Sequence, residues 1–147
     1  MGGRGGSSNA RYEEGVRQVA RELNPNATEA QIQEFVDRNN ARNERIDARR
    51  QEQSRQNAEA VAQDNREYNR ISAINSDAVA AARIERMGVP IRSEMYKNQF
   101  AMADANDAGD HAEYSRLGNQ YSVLSARLDN NKQTVARLRE RNEGLRL

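Results

Sequence analysis

The chain has 147 residues, with 23 Lys or Arg and 22 Asp or Glu, so its formal net charge is +1. This balance excludes both an acidic mimic of nucleic acid and a strong overall basic field. The absence of cysteine excludes a disulfide framework and thiol chemistry. No segment approaches the roughly 18 consecutive apolar residues of a membrane helix. The N-terminus has no apolar run, so we predict no secretion signal. We therefore expect a cytoplasmic protein with no membrane contact.

The composition favours long helices over a globular core. Only 23 residues are Ile, Leu, Val or Phe, which is below the roughly 20% that a compact core requires. Ala, Arg, Glu and Gln are abundant and are good helix formers, and no sustained alternation of apolar and polar residues predicts a strand. The sequence therefore predicts an all-α, elongated protein of long helices that ends in a helical bundle or coiled-coil segment.

Residues 1–9 are rich in Gly and Ser, which predicts a flexible tail. Their opening sequence, MGGRGGSS, resembles the start of small proteins from the head-gene regions of tailed phages and prophages of Gram-positive bacteria. The resemblance covers these eight residues alone and implies a phage or mobile-element context, without a fold or a site. In that context the expected location is the host-cell cytoplasm or a phage particle.

Residues 10–36 predict a small helical hairpin. Apolar residues recur at helical spacing as far as Leu23. The segment Asn24-Pro25-Asn26 ends this first helix, because a residue before proline disfavours the helical conformation. Thr28 then opens the next helix, with Gln31 placed three residues later to complete a capping box.

Residues 37–57 are almost wholly polar and predict a polar helix or a linker. Four arginines spaced by four, three and four residues share one helical face, with a fifth beside them. These residues, the arginine ridge, are Arg38, Arg42, Arg45, Arg49 and Arg50. The ridge suits the phosphates of a nucleic acid, whereas the interleaved acidic residues favour a solvated helix held by ion pairs. Nucleic-acid binding is therefore the alternative function, not the favoured one.

Residues 58–147 are predicted to form a helical bundle. We expect one helix over Ala58–Met87, a break at Gly88-Val89-Pro90, and a short helix over Ser93–Ala105. The short helix should cover only the first part of the helix that follows it, because short turns make the helices antiparallel neighbours.

The acidic segment Asp104–Asp110 is a candidate calcium loop that fits poorly. Ala108 and Ser115 stand at positions where oxygen ligands, one of them a bidentate Glu, are needed. A helix-hairpin turn capped by Asp110 is the better interpretation. His111 is the only histidine, and a single histidine without cysteine cannot build a zinc site. We predict no metal, no cofactor and no enzymatic activity.

The final helix, Asp110–Leu147, carries the most regular apolar pattern. Counted in heptads from Tyr114, eight of its ten stripe positions are apolar or aromatic. The distal part of this stripe has no evident cover and is predicted to be exposed in the isolated chain and to bind a partner. The predicted partner-binding residues are Leu124, Leu128, Asn131, Val135, Leu138, Asn142 and Leu145, with Arg127, Lys132, Arg139 and Arg141 beside them.

The basic residues beside the stripe indicate what its partner is. A parallel self-pair would bring like charges together. We therefore favour a partner protein with an acidic-flanked apolar helix or groove, with swapped or antiparallel self-association second. A third alternative is that a bent second helix covers the stripe within the chain. The predicted function is a non-enzymatic helical protein–protein interaction module, either a component of a phage particle or a small binder of a host protein.

Overall fold

The protein is all-α, as predicted. The computed structural model describes residues 6–144, which form four helices and no strand: α1 (Gly6–Leu23), α2 (Glu29–Ile74), α3 (Asp77–Asp107) and α4 (His111–Gly144). The helices are long, since α2 alone has 46 residues against a typical length of about 11–12. The chain divides into two compact units, Met1–Arg50 and Gln51–Leu147. This division falls inside the polar segment 37–57, which is helical. No helix in the described range is long and apolar enough to cross a membrane.

The first unit contains the predicted helical hairpin. The Thr28 backbone N–H donates to Gln31 Oε1 at 2.9 Å, and the Gln31 N–H donates to Thr28 Oγ1 at 3.2 Å. These two bonds confirm the capping box. α1 begins at Gly6, so the last part of the predicted flexible tail 1–9 is helical, and residues 1–5 lie outside the described range.

The hydrophobic core of the first unit is small. Ala20 on α1 and Ile32 and Val36 on α2 are its buried apolar residues. An ion pair supports the hairpin, with Arg17 Nη1 at 3.3 Å from Glu29 Oε2. Exposed ion pairs contribute little, about 0–1 kcal/mol each. The hairpin is therefore held by limited apolar burial and capping.

In the second unit, the predicted helix Ala58–Met87 is not continuous. The helix is interrupted at Asn75 and Ser76, where α2 ends and α3 begins. The Asn75 Nδ2 donates to the Ile71 carbonyl at 2.8 Å, and Ser76 is the N-cap residue of α3, with its Oγ accepting from the Val79 N–H at 3.4 Å. Side chains that satisfy the free backbone groups of helix ends favour a break there.

The predicted break at Gly88-Val89-Pro90 is wrong, because α3 runs through Pro90 without interruption. Proline has no N–H, so the Arg86 carbonyl loses its usual donor four residues later. Both Arg86 and Pro90 are exposed, and water can satisfy that carbonyl. α3 is consequently 31 residues long instead of the predicted short helix, and α4 has 34.

The turn between α3 and α4 agrees with the sequence. Gly109 has a φ of +70°, a conformation that costs glycine little. The Asp110 Oδ1 accepts the Glu113 N–H at 3.1 Å, which confirms Asp110 as the cap of α4. The turn places α3 and α4 side by side as the C-terminal helical pair.

All three helices contribute to the hydrophobic core of the second unit. Tyr68 comes from α2, and small residues of α3 allow the helices to approach closely. The buried cluster consists of Tyr68, Ala80, Ala81, Ile84, Val135 and Leu138, with Ile71 and Met87 packed against it.

Hydrogen bonds between polar groups join α2, from its middle onward, to α4. Gln53 Nε2 donates to the Asn119 carbonyl at 3.1 Å, and Asn57 Nδ2 donates to Ser122 Oγ at 3.0 Å. Through these contacts α2 packs against α4 from Gln53 onward, although its residues there are polar. Apolar periodicity alone does not reveal this packing.

Candidate protein-interaction surfaces

The predicted partner-binding stripe on α4 is largely part of the core. Leu128 is 8% exposed, Asn131 1%, Val135 6% and Leu138 6%, and we call these four residues the inner stripe of α4. Leu124 and Asn142 are half-buried, and Leu145 lies outside the described residues. The prediction that Leu128, Val135 and Leu138 are exposed in the isolated chain is therefore wrong. The prediction failed because it took α3 to be too short. With its full length, α3 covers the stripe from within the chain together with α2.

Three of the predicted flanking cations meet acidic residues of the same chain. Arg127 binds Asp64 on α2, with Nε and Nη2 at 2.8 and 3.2 Å from the two carboxylate oxygens. Arg141 binds Asp77 at the start of α3, at 2.8 and 2.7 Å. Arg139 forms an ion pair with Glu85 on α3. For these three cations, acidic side chains of the kind expected on a partner are thus supplied by α2 and α3 of the same chain.

These ion pairs shift the pKa values of their members. The Arg141 hydrogen bonds lower the pKa of the Asp77 carboxyl, and the bond to Asp64 raises the pKa of Arg127. Both shifts favour the charged forms that make the pairs. Burial raises the pKa of the Tyr68 hydroxyl, partly offset by the hydrogen bond from Asn131.

Asn131 is the polar centre of the inner stripe. Its Nδ2 donates to the Tyr68 hydroxyl at 3.0 Å and to the Ile84 carbonyl at 2.7 Å, so one side chain links α4 to both α2 and α3. A Cβ atom at Gly88 would stand 2.8 Å from Asn131 Oδ1. Gly88 therefore provides the space that the buried Asn131 needs. A buried Asn in an apolar stripe fixes helix register, and the contacts of Asn131 lie within one chain.

Apolar residues are instead exposed on α3. Val89 is 58% exposed, Tyr96 64% and Phe100 73%. Their spacing of seven and four residues places them on one helical face, which we call the outer face of α3. Tyr96 and Phe100 were predicted to lie on a short helix that excluded Val89, and the face they share with Val89 was therefore not predicted.

The outer face of α3 also carries charges that have no ion-pair partner among the described residues. Arg83 and Arg86 precede the three apolar residues, and Asp104 and Asp107 follow them. All four are exposed, and none has an ion pair within the described part of the chain. Lys97 is also exposed near the middle of this face, so the face is basic from its N-terminal end to its middle and acidic toward its C-terminal end.

A shallow groove between α3 and α4 contains the remaining predicted flanking cation. One hollow of about 270 Å³ is lined by Met95, Tyr96, Tyr121 and Leu128 together with Arg92 and Lys132. The same two cations also line a neighbouring hollow. Arg92 and Lys132 are exposed and form no ion pair with residues of the described range. The groove borders the outer face of α3 through Tyr96.

In the first unit, a second apolar surface lies on the helical hairpin. A hollow of about 510 Å³ is lined by Tyr12, Val16, Val19 and Phe35, among others. Tyr12 is 50% exposed, and its hydroxyl accepts hydrogen bonds from Asn39 and Asn43 at 3.0 and 2.7 Å. These two bonds lower the pKa of the Tyr12 hydroxyl.

All five residues of the arginine ridge are exposed on α2. Arg38 forms an ion pair with Glu34. Arg42, Arg45, Arg49 and Arg50 form none with other described residues, so the neutralisation expected from the interleaved acids is observed for Arg38 alone.

Residues 6–144 contain no group of three or more His, Cys, Asp or Glu side chains that could hold a metal ion. Comparison of the chain with protein-family models, with curated proteins and with solved structures finds no match.

Proposed function

We propose that the chain is a non-enzymatic helical protein–protein interaction module whose contact surface is the outer face of α3. The observation that carries the proposal is the exposure of Val89, Tyr96 and Phe100 on one helical face. Aromatic residues contribute strongly to protein interfaces, because they bury large areas with few rotatable bonds. Grouped exposure of such residues marks an interaction surface more often than scattered exposure does.

The core of the second unit supports this assignment, because it is complete without the outer face. Tyr68, Ile84 and Leu138 are buried among one another, and Phe100 takes no part in that cluster. A helix that packs through one stripe and exposes a second apolar stripe has more apolar surface than the fold of its own chain uses.

The wider setting of the proposal comes from the sequence. The opening MGGRGGSS supports a phage or mobile-element origin, and with it a role as a particle component or as a binder of a host protein. The cytoplasm of the host, or the particle, is the corresponding location.

The proposal is tested by replacing aromatic residues on the outer face. Tyr96→Ser combined with Phe100→Ser should abolish association while leaving the free energy of unfolding within about 0.5 kcal/mol, since exposed substitutions have small effects on stability. Tyr114→Ser is the matched control, because Tyr114 is also exposed, at 42%, but lies on α4. Association is measured by sedimentation and by quantitative capture of proteins from the native host. Unchanged association in the double variant would refute the proposed surface.

Nucleic-acid binding is a second candidate, favoured by the four arginines of the arginine ridge that form no ion pair with residues 6–144. From Arg42 to Arg49 the ridge extends about 10 Å at 1.5 Å per residue, which is long enough to contact several successive phosphates. The neighbouring acids Glu44 and Asp47 weaken its field, and for this reason the protein-interaction proposal is preferred.

Salt dependence separates the two candidates. If the ridge binds phosphate, fluorescence anisotropy with a duplex DNA or RNA probe should show binding that falls steeply as salt is added. Arg42→Gln, Arg45→Gln and Arg49→Gln together should then remove it. Replacing Arg66, Arg92 and Arg137 by Gln is a control with the same change in net charge. Absence of binding at low salt would eliminate this candidate.

A further inference from the structure

The outer face of α3 is complementary to itself when two copies are antiparallel. Arg86 and Asp104 lie nine residues before and after Met95, and Arg83 and Asp107 lie twelve residues before and after it. An antiparallel pair of α3 helices centred at Met95 therefore places Arg86 beside Asp104 of the second copy. It also places Arg83 beside Asp107 of the second copy, and two-fold symmetry repeats each contact.

The apolar residues of the outer face give nearly the same register as the charges. Along the outer face, positions 82, 89, 96 and 103 alternate with positions 79, 86, 93, 100 and 107 in the four-and-three spacing of a helix-pairing stripe. Six of these nine residues are apolar or aromatic, and Arg86, Ser93 and Asp107 are the polar members. In an antiparallel pair one set packs against the other. When Val89 packs against Phe100 of the second copy, the centre of the helix pair lies between Glu94 and Met95. The charge pairs place the centre at Met95, which is within one residue of that point. Tyr96 then packs in the central layer.

From these two registers we propose that the occupant of the outer face is a second copy of this chain, joined through antiparallel α3 helices. This inference rests on the proposed function, for which it supplies the partner. The four charges are available for the contact because none is paired within the described residues, whereas Asp77 and Glu85 on the same helix are paired with α4. The segment from Arg83 to Asp107 is about 36 Å long.

The alternative arrangements fit less well. A parallel pair would align Arg83 and Arg86 with their own copies, and like charges would face one another. A different protein with an acidic-flanked helix would suit Arg92 and Lys132 in the adjacent groove, but it would leave Asp104 and Asp107 facing like charge. The second copy is the occupant that matches both ends of the face.

The experiment uses charge reversal in the full chain, with self-association measured by sedimentation equilibrium. Arg86→Asp and Asp104→Arg should each weaken self-association on the order of tenfold, because each converts two attractive contacts into two repulsive ones. An equal mixture of the two variants should form a heterodimer. The double variant Arg86→Asp/Asp104→Arg, whose net charge equals that of the intact chain, should recover the original affinity.

Matched controls are available on the other helices of the second unit. Arg66→Asp on α2 and Asp129→Arg on α4 make the same changes in net charge at exposed residues and should not alter self-association. Circular dichroism of every variant should equal that of the intact chain, because the altered residues are exposed.

Three results would overturn the inference: a monomeric intact chain at all concentrations, a double variant that fails to recover affinity, or controls that weaken association equally. The proposed function has a separate outcome. If the chain is monomeric but Tyr96→Ser/Phe100→Ser removes the capture of another protein, the outer face is an interaction surface with a different occupant. If the substitution alters neither self-association nor capture, both proposals fail.

Discussion

The inner stripe of α4 and the outer face of α3 resemble one another in sequence and differ in the folded chain. Both place apolar residues at helical spacing with charges beside them. Around the inner stripe, Arg127, Arg139 and Arg141 find carboxylates on α2 and α3. Around the outer face, neither Arg86 nor Asp104 forms an ion pair with a described residue. Apolar spacing therefore identifies a surface that must pack, and the state of its flanking charges distinguishes a surface packed within the chain from one that is still available.

The largest expected effect is a loss of stability on the inner stripe. Leu138→Ala should lower the free energy of unfolding by roughly 2–5 kcal/mol, because a buried leucine is replaced by a cavity. Denaturant unfolding at a protein concentration low enough to prevent association provides the measurement.

A matched pair of valines refines the comparison between the two surfaces. Val135 is 6% exposed and Val89 is 58% exposed. Val135→Ala should destabilise the chain clearly, whereas Val89→Ala should change the free energy of unfolding by no more than about 0.5 kcal/mol. Equal effects at the two sites would remove the distinction between the inner stripe and the outer face.

A third expected effect concerns the space beside Asn131. Gly88→Ala should cost about 1–3 kcal/mol, because the new methyl group would stand 2.8 Å from Asn131 Oδ1 and overpacking is costly. Gly118→Ala is the control, since its Cβ would meet only Met102 Cε at an ordinary 3.8 Å. There the gain in helix propensity should stabilise the chain by roughly 0.5–1 kcal/mol. Thermal or denaturant unfolding of both variants gives the comparison, and a neutral Gly88→Ala would show that the contact relaxes easily.

The local features of the fold were predictable because they depend on neighbouring residues. The Thr28–Gln31 capping box and the Asp110 cap both follow from side chains three residues apart. The break at Ser76 was missed although Ser76 and Asp77 form a capping signal, because the apolar pattern continues across it. Pro90 was interpreted as a break, since its cost in a helix depends on exposure, which the sequence does not give.

The candidate surface was less predictable than the fold, because it follows from helix lengths. Once α3 was taken to be short, Leu128 and Leu138 had no cover, and the complementary acids Asp64 and Asp77 were too distant in sequence to be recognised. The sequence did predict the chemistry of these contacts, in which cations beside an apolar stripe pair with acidic side chains. The expectation that Leu128, Val135 and Leu138 await cover from a separate protein does not fit their burial, because an α3 of 31 residues supplies much of that cover within the chain.

A smaller effect is expected for the ion pair between Arg127 and Asp64. The side chains are 33% and 15% exposed, so solvent screens the pair in part. A double-mutant cycle with Arg127→Gln and Asp64→Asn should give a coupling of about 0.5–1 kcal/mol. The same cycle with Arg86→Gln and Asp104→Asn should give no coupling in the monomer, because those residues meet only between copies. Coupling of Arg86 to Asp104 within the monomer would contradict the proposed availability of the outer face.

The smallest expected effect is the pH dependence contributed by Asp77. Because Arg141 lowers its pKa in the folded chain, Asp77 stabilises the fold at pH values above its unfolded pKa of roughly 3.9. That contribution is lost as the pH falls through the lower folded value. Asp77→Asn should therefore be less stable than the intact chain at neutral pH, and the two unfolding curves should converge in acid. The control Asp104→Asn removes a carboxylate without an ion-pair partner among residues 10–144 and should leave stability at neutral pH within about 0.5 kcal/mol. A difference between the Asp77→Asn and intact chains that persists unchanged into acid would show that the loss comes from helix capping or packing at the start of α3, not from the charge of Asp77.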